Sequence, residues 1–181
     1  MNIIKTKLLG VYIIEPDVFR DERGAFAKVF HKDTFIKGGM AFGFEESYYS
    51  LSKKNVLRGM HFQTPPKDHA KLVYVTAGAI TDVVLDIRKG SLTYGQYIAR
   101  ELSDENHIMM YIPTGCAHGF LSLRDDSCVV YMQTSMYAPK HDGGIRIDSF
   151  GMEWHVQDPI ISQRDQSFPA FQKFKTPFIH T

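Results

Sequence analysis

The stretch NVLRGMHFQTPPKDHAKLVYV, residues 55 to 75, sets Arg58, His61, Gln63, His69 and Lys71 in a run that is otherwise largely apolar. A histidine takes or gives a proton near neutral pH once a partner fixes its tautomer, and a carboxylate is the natural partner. Candidates lie downstream at Asp142, Asp148, Asp158 and Asp165, and spacing does not choose among them. In an extended chain alternate side chains share a face. Gly59, His61 and Gln63 are therefore expected on one side, and Arg58, Met60 and Phe62 on the other. A second histidine, His118, follows a Pro-Gly turn in IPTGCAHGF.

Together these segments, G-x-H-x-Q and P-x-G-x-x-H, resemble the paired motifs of the cupin superfamily. A divalent metal needs three or four converging N or O ligands, and the metal-binding form of the pattern uses H-x-H, a Glu and a further His. Gln63 stands at the second position and no acidic ligand is near it, so neither a metal nor another cofactor is expected and a metal-dependent oxygenase is disfavoured. Cys116 and Cys128 form no CxxC pair and read as reduced, packed thiols. His31, His69, His107, His141, His155 and His180 have no motif around them and are assigned no role, and Lys53 and Lys54 read as a solvated turn.

The elements that position these residues are strands. VYIIEP, AFAKVF, ESYYSLS, NVLRGMHF, KLVYVTAG, ITDVVLDI, YGQYIARE, IMMYIPT, AHGFLSL and CVVYMQTS are short β-branched and aromatic runs separated by turn clusters such as TPPKDH and RKGS. No amphipathic run of helical length separates them, which disfavours a parallel α/β fold and points to an all-β sandwich or barrel. One early helix is expected over HKDTFIKGG, capped by Asp33 or Thr34 and ended by the paired glycines. The Pro- and Gly-rich chain after residue 138 reads as ordered loops and turns over the barrel. The 181 residues suit one domain, 1–181; the +1 net charge argues against nucleic acid, and 44% hydrophobic content describes a soluble protein. The N-terminus, interrupted by Lys5, Lys7 and Gly10, has neither a signal-peptide core nor a membrane span, so a cytoplasmic location is expected.

EPDVFRDERGAF, SKKNVLRGMHFQ, AKLVYV, DVVLDIRKGSLTYGQY, ELSDEN, YIPTGCAHGFLSL, YMQTSMYAP, GIRIDS and ISQRDQSFP occur in an order that resembles the dTDP-4-dehydrorhamnose 3,5-epimerase family over nearly the whole chain. The resemblance implies a cofactor-free, cupin-type jelly roll with a few short helices, assembled as a homodimer that exchanges N-terminal strands. It also implies inversion of C5 and C3 of a nucleotide-linked 4-keto-6-deoxyhexose in deoxysugar and polysaccharide biosynthesis. His61 matches the family's general base, Asp165 its partner, Tyr131 the acid on the opposite face of the sugar, and Lys71 the residue beside the C4 carbonyl oxygen. Phe19, Arg23, Phe26, Arg58, His118, Tyr137, Asp142 and Arg164 match positions that hold the nucleotide-sugar. A C4 ketone acidifies the hydrogens at C3 and C5, because removing either leaves an enolate whose charge sits on O4, where an ammonium stabilises it.

The chain departs from the family pattern at Lys28, where Glu is usual, and at Glu46, Ser47 and Tyr48, where a Gln-Asp-Asn run is usual. A donor ammonium in place of an acceptor carboxylate at Lys28, and an acceptor in place of a two-way amide at Glu46, change what the nucleotide end can bond, so a CDP- or GDP-linked sugar is carried beside dTDP. A cupin-type ketoisomerase, moving the keto group between C4 and C3, and a non-catalytic nucleotide-sugar binding module stand as alternatives. For the epimerase, the expected rate profile is a bell whose limbs are His61 and Tyr131.

Overall fold

The computed structural model describes residues 1–180. Its strands are β1 (Asn2–Lys5), β2 (Tyr12–Glu15), β3 (Val18–Asp21), β4 (Gly24–Ala27), β5 (Glu46–Ser52), β6 (Val56–Gln63), β7 (Lys71–Ala77), β8 (Ala79–Asp86), β9 (Tyr97–Ser103), β10 (Met109–Ile112), β11 (Cys116–Ser122), β12 (Ser127–Gln133), β13 (Asp142–Gly144) and β14 (Ile160–Ile161). One sheet runs β1-β2-β10-β7-β12-β5, and the facing sheet runs β13-β6-β11-β8-β9 with β14 added to β6. Both are antiparallel apart from the β14–β6 pair, and together they make the cupin-type jelly roll expected of the sequence. A separate two-stranded ribbon, β3–β4, stands off them.

Burial explains the sequence pattern. Val73, Val75 and Val129 of the first sheet meet Ile80, Val84 and Phe120 of the second in the interior. The outer face of the second sheet is covered by the late chain, where Ile145, Ile147, Phe150 and Phe178 pack on Leu57, Met60, Phe62 and Leu85. β8 and β11 are therefore covered on both faces, which is why they read as near-continuous apolar runs rather than alternating ones. Outside the first sheet, α1 (Lys32–Lys37) seats Phe35 against Ile14, Leu72 and Tyr111.

Two local expectations change. The N-cap of α1 is His31, with no side-chain cap, so neither Asp33 nor Thr34 fills that role. The late chain is not only loops: it holds α2 (Gln163–Ser167), whose N-cap Ser162 accepts from the Asp165 backbone N–H, and a 3₁₀ turn at Phe171–Lys173. Five residues are too few for an amphipathic period to show in sequence.

Candidate active site

The strand registers dictate which side chains meet. In the first sheet Tyr48 lies opposite Tyr131, which lies opposite Val73, and Glu46 lies opposite Gln133, which lies opposite Lys71. Directly opposed residues share a face, so Glu46, Tyr48, Lys71, Tyr131 and Gln133 all turn inward. In the second sheet His61 lies opposite His118, and Arg58 opposite Phe120. The two sets enclose a cavity of about 420 Å³.

The β6–β11 register departs from simple alternation. Two residues separate Arg58 from His61 on β6, while one separates their partners Phe120 and His118 on β11. This β-bulge reverses the side-chain parity within β6. Leu57, Met60 and Phe62 go to the outer core, while Arg58 and His61 border the cavity together. The expectation that Arg58 and His61 face opposite ways is corrected by that one extra residue. Gly59 has φ +134°, and a Cβ on it would stand 2.5 Å from Gly119 Cα, so the bulge needs a glycine on each strand.

Of the four candidate carboxylates, Asp165 meets His61. Its Oδ1 lies 2.8 Å from His61 Nε2, and its Oδ2 accepts from the Gly59 backbone N–H at 3.1 Å. Burial pushes the Asp165 carboxyl up, but the hydrogen bonds from His61, Gly59 and Ser162 outweigh it and hold the group below the usual carboxylate range. Burial pulls the His61 imidazole below its ordinary 6.5 against the pull of Asp165, so the ring is neutral at pH 7. The Phe168 ring, 5.8 Å away and nearly perpendicular, helps to dry it.

Across the cavity, burial drives the Tyr131 phenol well above its ordinary 10. Its hydroxyl lies 3.3 Å from Ser50 Oγ, and its ring stacks on Tyr48 at 4.8 Å. Burial likewise pushes the Tyr48 phenol up to about 12. Lys71 is buried, and desolvation lowers its ammonium to about 8, opposed by Asp142 and Asp82; it makes no ion pair among the described residues. His118 Nε2 lies 2.6 Å from the buried Asp82.

The mouth is braced by polar contacts. Gln63 donates to the Lys67 carbonyl at 2.7 Å and accepts from the Ala138 N–H at 2.6 Å, so it ties two loops together. Glu46 accepts from the Tyr137 N–H, and Asp142 accepts from both the Tyr137 hydroxyl and Arg164. Among the described residues no group of three His, Cys, Asp or Glu is placed to hold a metal ion.

Most of the residues expected from the sequence converge: Glu46, Tyr48, Arg58, His61, Lys71, His118, Tyr131, Tyr137, Asp142 and Arg164 line the cavity, with Asp165 behind His61. Ser47 does not line it. Its hydroxyl donates to the Tyr131 carbonyl, because consecutive strand residues cannot share a face with Glu46 and Tyr48. Phe19, Arg23 and Phe26 border a shallow recess on the β3–β4 ribbon, and Lys28, just beyond β4, is exposed outside the cavity. Phe19 and Phe26 form a tilted pair 64% and 62% exposed, so they are not core residues. His69, assigned no role from the sequence, borders the cavity, as do Ser50 and Gln133. The alternation in ESYYSLS was the available signal for Ser50; none pointed to His69.

Residues 5–173 match the family model described as dTDP-4-dehydrorhamnose 3,5-epimerase. An enzyme of that name from Methanothermobacter thermautotrophicus is 45% identical over 177 residues, covering 95% of each chain. Among solved structures, a dTDP-4-dehydrorhamnose 3,5-epimerase from Sulfolobus tokodaii superposes with TM-score 0.89 at 38% identity, covering 96% of this chain and 97% of that one. A dTDP-6-deoxy-D-glucose-3,5-epimerase from Legionella pneumophila, in complex with dTDP-4-keto-L-rhamnose, superposes with TM-score 0.91 at 34% identity, covering 96% and 94%. With a matching model over nearly its full length and relatives that share both sequence and fold, the chain belongs to the dTDP-4-dehydrorhamnose 3,5-epimerase family of isomerases.

Proposed function

We propose that the protein inverts C5, C3 or both of a dTDP-linked 4-keto-6-deoxyhexose bound in this cavity. The observation that carries the reading is the placement of His61, held by Asp165 of α2, on one sheet and of Tyr131 and Lys71 on the facing sheet of a single cavity. His61 removes the proton beside the ketone, and the electron pair moves onto O4. The Lys71 ammonium stabilises the resulting enolate. Tyr131, neutral through the physiological range, delivers its proton to the same carbon from the other face, which inverts it. Both groups then reset through solvent.

The dTDP assignment rests on the relatives, which are named for dTDP-linked sugars. One departure also weighs less once placed: Glu46 spends a carboxylate oxygen on the Tyr137 N–H. We also propose a homodimer with exchanged N-terminal strands. Arg23, Phe19 and Phe26 then serve the neighbouring chain's cavity, and the exposed Tyr49 and Leu51 on edge strand β5 are covered. Mixing inactive Arg23→Ala and His61→Ala chains is expected to restore part of the activity; two inactive variants that never complement as mixed dimers refute the exchange.

The function is tested by incubating the protein with dTDP-, CDP- and GDP-linked 4-keto-6-deoxyhexoses in deuterated water and following C3 and C5 by NMR. Deuterium entering with inversion is expected for the dTDP sugar. No exchange with any of the three excludes epimerisation, binding without exchange points to a non-catalytic module, and a 3-keto product points to a ketoisomerase.

A further inference from the structure

Among the cavity residues that the proposed chemistry does not use is His69. His69 is 7% exposed and borders the cavity. Its Nδ1 lies 3.1 Å from Gln63 Nε2 and 3.3 Å from Ser135 Oγ. Backbone groups settle which end of the Gln63 amide faces the ring: the Ala138 N–H donates to Oε1, and Nε2 points at the carbonyls of Lys67 and Met136. The group facing His69 is therefore an NH₂ with two hydrogens: one goes to the Lys67 carbonyl at 2.7 Å and the other lies nearer Nδ1, at 3.1 Å, than the Met136 carbonyl, at 3.3 Å, so Nδ1 accepts. The Ser135 hydroxyl already donates to the Lys67 carbonyl at 2.9 Å.

A neutral imidazole whose Nδ1 accepts carries its proton on Nε2. Burial, reinforced by the Lys71 charge, lowers the His69 pKa to about 3 and keeps the ring neutral. Nε2 is buried and has no partner among the described residues. A buried N–H without an acceptor is rare in folded proteins, and this one belongs to a ring at the cavity wall, in the electrostatic range of Lys71.

We infer that His69 is a specificity residue, whose Nε2–H donates a hydrogen bond to a hydroxyl oxygen of the bound hexose. The inference rests on the reading that a sugar nucleotide fills the cavity. A position that can only donate favours an oxygen over the hydrogen of a deoxy carbon, because the deoxy sugar leaves the buried N–H unpaired. Gln63 has a defined part in this: by donating to Nδ1 it selects the tautomer that presents Nε2–H.

Calorimetry with dTDP-glucose and with dTDP alone, on the wild type, His69→Phe and His69→Gln, tests the inference. The quantity read is the factor by which the sugar improves binding over dTDP. It is expected to fall about tenfold in His69→Phe, the size of one neutral hydrogen bond, and to return largely in His69→Gln, which keeps a donor. Affinity for dTDP alone is expected to stay the same in all three proteins. An unchanged sugar factor in His69→Phe overturns the inference while leaving the proposed function standing. So does a parallel loss of dTDP affinity, which marks a collapsed cavity wall, or a His69→Gln protein no better than His69→Phe. A wild type that binds neither compound overturns both.

Discussion

Replacing Asp165 by Asn probes the site at one atom. Asp165 holds His61 through Nε2 at 2.8 Å, which leaves Nδ1 as the nitrogen able to take a proton from the sugar. The other carboxylate oxygen accepts from the Gly59 N–H at 3.1 Å, a donor that no rotation reverses. The new carboxamide therefore keeps its oxygen on Gly59 and turns its NH₂ to His61. Nε2 must then accept, the ring proton moves to Nδ1, and the base is blocked. Flipping the amide restores the reactive tautomer but sets NH₂ against the buried Gly59 N–H, at roughly 1–3 kcal/mol. That leaves on the order of 1–15% of the protein reactive. Losing the carboxylate that stabilises the imidazolium removes roughly another 1.5–3 kcal/mol. Together these predict a kcat loss of about 10²–10⁴, the range in which a tautomer-fixing aspartate acts in serine proteases. Solvent deuterium incorporation by NMR under single-turnover conditions measures it, with dTDP affinity and the melting midpoint as controls for an intact fold. A loss below about fivefold with the fold intact refutes the assigned tautomer and the role of Asp165.

Tyr131→Phe is expected to retain hydrogen exchange at the carbon facing His61 while losing inversion by at least about tenfold. Comparing label uptake with product stereochemistry checks it, and equal loss of both contradicts separate base and acid roles. The pH profile is expected to rise with His61 deprotonation on a limb below 6.5, and to fall near 8 as the Lys71 ammonium is lost. The alkaline limb thus moves from Tyr131, whose phenol is held far higher, to Lys71, and Lys71→Arg is expected to remove it; a profile flat to pH 10 rules this out. Gly59→Ala is expected to destabilise by roughly 2–4 kcal/mol, since a Cβ 2.5 Å from Gly119 Cα at φ +134° has nowhere to go. A thermal midpoint lowered by about 5–15 °C is the readout, and an unchanged midpoint shows that the strands can separate at the bulge without cost.

The strand content was legible because a period of two is a local property: KLVYVTA and TDVVLDI alternate wherever they are placed. The family resemblance likewise selected His61, Lys71, Tyr131 and Asp165 from short motifs. Pairing was not legible. Arg58 and His61 share a face only because β11 supplies one intervening residue where β6 supplies two, a count that needs both strands in register. The resemblance named Asp165, but no local pattern sets it rather than Asp142, Asp148 or Asp158 against His61; that contact needs α2 to reach back across 104 positions to the bulge. His69 looked inert because nothing beside it in sequence calls for chemistry. Its tautomer, its orphaned Nε2 and its place at the cavity wall come from Gln63 and Ser135, which approach it from other elements. By itself the sequence determined the strands, the family and the chemical types at the site. Tertiary structure decided which of those residues face one another, because strand register and bulge placement are set by long-range packing that no local period encodes.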